Sequence, residues 1–184
     1  MAKNLKKVLI VDDEETLTWS MARSLSKDRE KYEVLIANNG REALSVLERQ
    51  KVDLVIHAGD FIAPFAINPL SELRCEYIGV FGNNDGEKFG LTKISQGRIT
   101  PAPRPVELGD RKVLILHEPN EIDALSKSQV YDMIIYGHTH KPVNEKHGKT
   151  LVINPGECGG WLTGKSTIAL ADLDWKTGEV VELS

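Results

Sequence analysis

The chain has 184 residues, enough for one large domain or two small ones with a real core. Its 23 Lys and Arg are interleaved with 27 Asp and Glu for a net charge of −4, a balance that favours neither nucleic acid nor a membrane surface as a partner. No apolar run reaches the roughly 20 residues of a membrane helix, and the N-terminus enters a strand without a signal-peptide core. Cys75 and Cys158 lie far apart and match no disulfide or zinc-finger spacing. A cytoplasmic protein with reduced, buried thiols is therefore expected.

In chain order, Lys7 to Asp12 is a short apolar run ended by acids, the pattern of a buried parallel strand. Asp13 can cap a helix whose apolar face carries Leu17, Met21 and Leu25. Tyr32 to Ala37 reads as a second strand. Asn38-Asn39-Gly40 turns into a helix with Ala43, Leu44 and Leu47 inward, and Val52 to Ala58 is a third strand. Strand and helix alternating in this way predict a parallel α/β sheet. Pro64 and Pro69 then limit the next helix to a short or broken one. Glu76 to Phe81 is a strand, and residues 82–104, rich in Gly, Asn, Asp and Pro, read as a long loop with one helical turn. Val106 to Leu108 and Lys112 to Leu116 form a hairpin about Gly109-Asp110. A helix over Glu121 to Ser128 and a strand over Tyr131 to Tyr136 follow. Two further hairpins turn at His147-Gly148 and at Lys176-Thr177-Gly178.

Chemistry gathers at the strand ends. Asp60 follows one strand, Asn83, Asn84 and Asp85 the next, His117 a third, and His138 and His140 a fourth. Ligands of open α/β sheets sit beyond the carboxyl ends of strands, so these groups are expected on one rim. A Gly-Asp, an Asn-Asn-Asp-Gly or a single histidine is ordinarily a turn or a satisfied core residue. Gly137-His138-Thr139-His140 is more specific, because packing rarely calls for two histidines one residue apart directly after a strand. Mixed carboxylate, amide and imidazole donors suit Mn, and also Ni, Fe, Zn or Mg. A bridging carboxylate can hold two cations that clamp a phosphoryl group and activate water.

Together IHAGD, FGNND, His117 after its apolar strand, YGHTH and INPGECGGWLTG resemble the small archaeal and bacterial phosphodiesterases of the calcineurin-like metallophosphoesterase superfamily, over roughly residues 52 to 184. The resemblance implies an α/β/β/α sandwich with two metal ions at the strand ends. It implies that Asp60 bridges both ions, that Asn83, His117 and His138 hold one, and that His140 holds the other. Asn84 stands where many relatives carry a histidine that assists the leaving group, which fits a diesterase acting on good leaving groups. Asn154-Pro155-Gly156 resembles the family's closing turn. His57 belongs either behind the ligands or in the core, and His147 in its hairpin turn reads as solvated.

The front departs from that family, which opens on a strand ending in Asp-x-His. The stretch from KKVLIVDDEE to VDLVI instead resembles the first half of a response-regulator receiver of the CheY type, with Asp12-Asp13 as its acid pair. The receiver's phosphoacceptor aspartate would fall at about Ala58, so phosphotransfer is disfavoured. Alignment of strand ends puts Asp12 at the family's first aspartate and Glu14 at its histidine. The expectation is a chimera, natural or engineered, of a receiver-like β-α-β-α half (residues 1–52) and a phosphoesterase portion (residues 53–184), integrated in one domain with one continuous sheet. Its activity is expected to be metal-dependent hydrolysis of a small-molecule phosphodiester, impaired by loss of Asp-x-His. The alternative is a fold-recombination product with little or no activity. Homo-oligomers remain open.

Overall fold

The protein is described by a computed structural model that covers residues 6–11, 32–37, 52–71, 73, 75–160, 162–174 and 176–183. The strands are β1 (Lys6–Val11), β2 (Tyr32–Ala37), β3 (Leu54–His57), β4 (Glu76–Val80), β5 (Ile99–Thr100), β6 (Arg104–Leu108), β7 (Arg111–Ile115), β8 (Met133–Ile135), β9 (Val143–His147), β10 (Thr150–Asn154), β11 (Ser166–Asp172) and β12 (Thr177–Leu183). A 3-10 turn at Pro64–Ile67 leads into helix α1 (Asn68–Ser71), followed by α2 (Lys88–Ile94) and α3 (Ile122–Lys127). The helices expected within residues 13–31 and 38–50 lie outside the described residues.

Two sheets carry the site. β3, β4 and β5 are parallel in the order β3-β4-β5. The other sheet has the order β6-β7-β8-β10-β9, with β7, β8 and β10 parallel and β6 and β9 antiparallel at its edges. Period-two alternation sorts the side chains between layers. Val113, Ile115, Met133, Ile135, Leu151 and Ile153 face inward and pack with Ala58, Val80, Ile56 and Ile78 of the smaller sheet. Their neighbours Leu114, Leu116, Ile134, Tyr136 and Val152 point the other way, against Ile122 and Leu125 of α3. On the outer face of the small sheet, Val55 and Tyr77 pack with Phe61, Ile67 and Leu91. The layers are therefore helix, sheet, sheet, helix, as the α/β/β/α expectation requires. A mixed α/β sandwich leaves both sets of parallel strand ends free to meet at one edge.

The expectation of one continuous sheet is corrected. β1 pairs in parallel with β2, from Lys6↔Tyr32 to Val11↔Ala37, as a separate two-stranded unit. Among the described residues β3 bonds to β4 but not to β1, and β1 instead lies near β12 of the C-terminal hairpin. Each ladder consumes one edge of a strand: β1 gives one to β2 and β3 gives one to β4, and among the described residues no ladder joins their remaining edges. All four residues of β3 are only half-buried, consistent with a strand laddered on a single side.

Smaller differences concern local signals. The long loop at 82–104 contains all of α2 and the short strand β5. The last hairpin turns at residues 173–176, so Thr177 and Gly178 already belong to β12. Both cysteines are free thiols as expected, but Cys75 is half-buried and Cys158 exposed.

Candidate metal centre

Each donor sits where a strand gives way to a loop. After β3 the chain turns through Gly59 (φ +106°) and Asp60 (φ +62°), and after β8 it turns through His138 (φ +64°) and His140 (φ +58°). Left-handed backbone at non-glycine residues costs of order 1–3 kcal/mol each and persists only where the surroundings enforce it. At this rim it falls on three of the residues singled out from the sequence. Gly59 has a steric reason as well: a Cβ there would stand 2.5 Å from Nδ1 of His117 and 2.9 Å from the Gly82 amide nitrogen.

His117 is buried and anchored at Nδ1, 2.8 Å from the Ala58 carbonyl oxygen. That contact puts the proton on Nδ1 and leaves Nε2 as a bare donor atom. Nε2 lies 2.8 Å from Oδ1 of Asn83 and 3.4 Å from Oδ2 of Asp60. Nδ1 of His138 lies 2.9 Å from the same Asn83 oxygen and 3.3 Å from Nε2 of His117. Four donor atoms from four strand ends thus converge. Ligands about 2.1 Å from one cation stand about 3.0 Å apart in octahedral geometry and about 3.4 Å apart in tetrahedral geometry. The observed separations fall in and just below that span, so the residues fit a divalent cation. Among the described residues no three His, Cys, Asp or Glu side chains make such a group by themselves, and the amide oxygen of Asn83 is the member that closes it.

The loops are clipped together by polar side chains behind the donors. Asp85, 3% exposed, accepts the Ile62 amide at Oδ1 and the Gly82 amide at Oδ2, both at 2.7 Å. Asn84 donates to Asp60 twice, from its backbone at 2.9 Å and from Nδ2 at 3.0 Å. Asn154, fully buried, donates to the Gly137 carbonyl at 2.8 Å and to the Thr139 hydroxyl at 3.0 Å, holding the histidine turn to the Asn-Pro-Gly turn. His57 sits behind the centre, its ring stacked on Phe61 at 3.9 Å. Its Nδ1 accepts the Gly59 amide at 3.3 Å. Burial pushes this imidazole down to about 4, against smaller opposing pulls from Asp85 and Asp60, so it is neutral at pH 7.

His140 stands apart from the convergent four. Its polar partner among the described residues is Glu157, with Nδ1 3.7 Å from Oε2. Desolvation opposes ionisation of Glu157, but the amides of Leu162 and Thr163, the Thr163 hydroxyl and nearby His140 outweigh it and hold the carboxyl below its ordinary value. Sequence reasoning missed Glu157, because an acid after a Pro-Gly turn reads as solvated; its one signal is its place inside the INPGECGGWLTG segment. Asp12 and Glu14 lie outside the described residues. His147 is not simply solvated: it is half-buried between Ser126 (Oγ to Nδ1, 3.4 Å) and Glu145 (Oε2 to Nε2, 3.1 Å). This serine–histidine–glutamate row resembles a hydrolase triad on paper, but Ser126 is fully buried in α3, where no substrate can reach it.

Comparisons with known proteins speak to the family. A family model described as the calcineurin-like phosphoesterase superfamily domain matches residues 37–176. The chain is 40% identical over 144 residues to a phosphodiesterase of Methanocaldococcus jannaschii, covering 75% of this chain and 87% of that protein. It is similar to a solved structure of an archaeal phosphodiesterase, with a TM-score of 0.71 and 32% identity over 97% of this chain and 100% of that one. A 51-residue stretch, 28% of the chain, is 41% identical to the alkaline phosphatase synthesis transcriptional regulatory protein PhoP of Bacillus subtilis, of which it covers 20%. With the donor set, the layered fold and these matches in agreement, the chain belongs to the calcineurin-like phosphoesterase superfamily.

Proposed function

We propose that the chain is a divalent-metal-dependent phosphodiesterase of small-molecule phosphodiesters. The observation that carries this reading is the convergence of Nε2 of His117, Nδ1 of His138 and Oδ1 of Asn83 within 3.3 Å of one another beside Asp60. Asp60, Asn83, His117 and His138 would hold one cation, and His140 with Asp60, Asp12 and Glu14 would belong to a second position. Two imidazoles, an amide and a carboxylate suit Mn, with Ni, Fe, Zn or Mg as alternatives. A cation held there supplies Lewis-acid polarisation of a phosphoryl oxygen and acidifies water.

The chain's own groups set the rest. The Ala58 carbonyl orients His117, and the Asn83 amide oxygen stands within 2.9 Å of both imidazoles. Asn84 is exposed and can exchange its bond to Asp60 for one to a departing oxygen. An amide donates a hydrogen bond but has no titratable proton, so it steadies a developing oxyanion without protonating it. That favours diesters whose leaving group is a stable anion. The test is hydrolysis of bis(p-nitrophenyl) phosphate with added Mn²⁺. Turnover that EDTA abolishes and His138→Ala removes supports the reading, and equal rates in EDTA overturn it.

A second reading takes the chain as a fold-recombination chimera with a receiver-like front, natural or engineered, and little or no turnover. The PhoP-like stretch and the acids Asp12 and Glu14 in place of Asp-x-His favour it. Elemental analysis separates the two: metal retained with turnover supports the first reading, and a folded, metal-free, inactive chain supports the second. A phosphoacceptor receiver is the weakest alternative, since Ala58 occupies the acceptor's place.

A further inference from the structure

We infer that Glu157 is a positioning residue for the reaction: its carboxylate fixes the ring of His140 so that Nε2 is the bare nitrogen presented to the rim. The inference rests on the phosphodiesterase reading, in which His140 is a ligand of the second metal position.

The carboxylate is held more firmly than any exposed turn acid. Its side chain is 9% exposed. Oε1 accepts the Leu162 amide at 2.8 Å, and Oε2 accepts the Thr163 amide at 2.9 Å and the Thr163 hydroxyl at 3.0 Å. The backbone of Glu157 is pinned on both sides to Thr167: its carbonyl accepts the Thr167 amide at 2.8 Å and its amide donates to the Thr167 hydroxyl at 3.2 Å. Asn154 closes the frame. It binds the histidine turn through Gly137 and Thr139, and its Oδ1 accepts the Gly156 amide at 2.9 Å. His140 and Glu157 are thus carried by two turns locked to one side chain, and their 3.7 Å approach follows from that frame.

The lone pairs of Glu157 already serve three donors, which argues for orienting rather than coordinating. A carboxylate beside one ring nitrogen of a ligand histidine fixes its tautomer and raises the basicity of the other nitrogen. The observed 3.7 Å is ion-pair reach. With Asp-x-His missing from the front, His140 carries a larger share of the second position, so its orientation matters more.

The test reads the tautomer of His140 by nitrogen-15 NMR of the metal-free chain at alkaline pH, where neither metal nor turnover is needed. In the wild type the proton is expected on Nδ1. Glu157→Gln is expected to shift it toward Nε2 and to weaken the His140-linked step of a Mn²⁺ titration roughly 10- to 100-fold, leaving the other step unchanged. Glu157→Asp is expected to restore part of both effects. A wild-type proton on Nε2, or a tautomer unmoved in Glu157→Gln, overturns the proposal even where a variant folds poorly. Failure of the diesterase assay with the Nδ1 tautomer in place counts against the functional reading instead.

Discussion

The two sides of the rim are furnished differently. On one, Asn83, His117 and His138 bring their polar atoms to a common spot, with His117 held from behind by the Ala58 carbonyl. On the other, His140 has one carboxylate partner at ion-pair distance among the described residues, and the proposed second position would also draw on Asp12 and Glu14. The first side comes wholly from strand ends of the two packed sheets, where parallel ladders leave little freedom. The second, among the described residues, is built on turns. Side chains keep their mutual geometry when their orienting contacts come from the same sheets that carry them.

The largest expected effect sharpens that contrast directly. His138→Ala should lower diester turnover about 1,000-fold, equivalent to about 4 kcal/mol of activation free energy, whereas His140→Ala should cost about tenfold. Equal losses in steady-state kinetics would erase the distinction between the sides.

Next comes the packing that holds the furnished side. Gly59→Ala combines a left-handed residue with a Cβ driven against His117 and Gly82, and should destabilise the fold on the order of 3 kcal/mol in urea unfolding. A comparable term comes from acid. The folded-state pKa of His57 is about 4 against 6.5, so the unfolded chain takes up a proton first as pH falls. Its contribution is fully present above pH 6.5 and is lost on descent to about pH 4, on the order of 3 kcal/mol. His57→Phe keeps a ring against Phe61 and should flatten that slope in unfolding measured from pH 7 to pH 4.

Asp85→Ala leaves the Ile62 and Gly82 amides without their acceptor and should cost about 1–3 kcal/mol, together with a rise in KM from the loosened Asp60 loop. The smallest effect belongs to the front. Asp12→Asn with Glu14→Ala should change Mn²⁺ affinity at the furnished position by less than about twofold, within the additivity of separate sites. A larger change in calorimetric titration would mean that the two sides are coupled.

Much of this was legible in the sequence. Runs such as YDMIIY read as strands because parallel strands covered on both faces are rich in apolar residues. That Asp60, Asn83, His117 and His138 would meet at one rim was legible because each follows such a run. Helix α2 was not, since Leu91 is its one buried residue and Phe89 is 86% exposed, so no apolar stripe announces it. The division into separate sheets was not legible either, because strand pairing is decided by edges rather than by side-chain pattern. Glu157 escaped notice because its value lies in contacts to Leu162, Thr163 and His140, which only the folded turn brings together.

The Asp85 clip has a consequence for affinity. Ordering the backbone of a residue costs about 1–2 kcal/mol, and a loop left free until a cation arrives would subtract that amount, residue by residue, from the observed binding energy. By tying residues 59–62 to residues 82–85 with two buried hydrogen bonds, the fold meets that entropic cost when the chain collapses. The loops that carry Asp60 and Asn83 are ordered in the folded chain, so in the proposed reading cation selection there would be a matter of coordination chemistry rather than of loop closure.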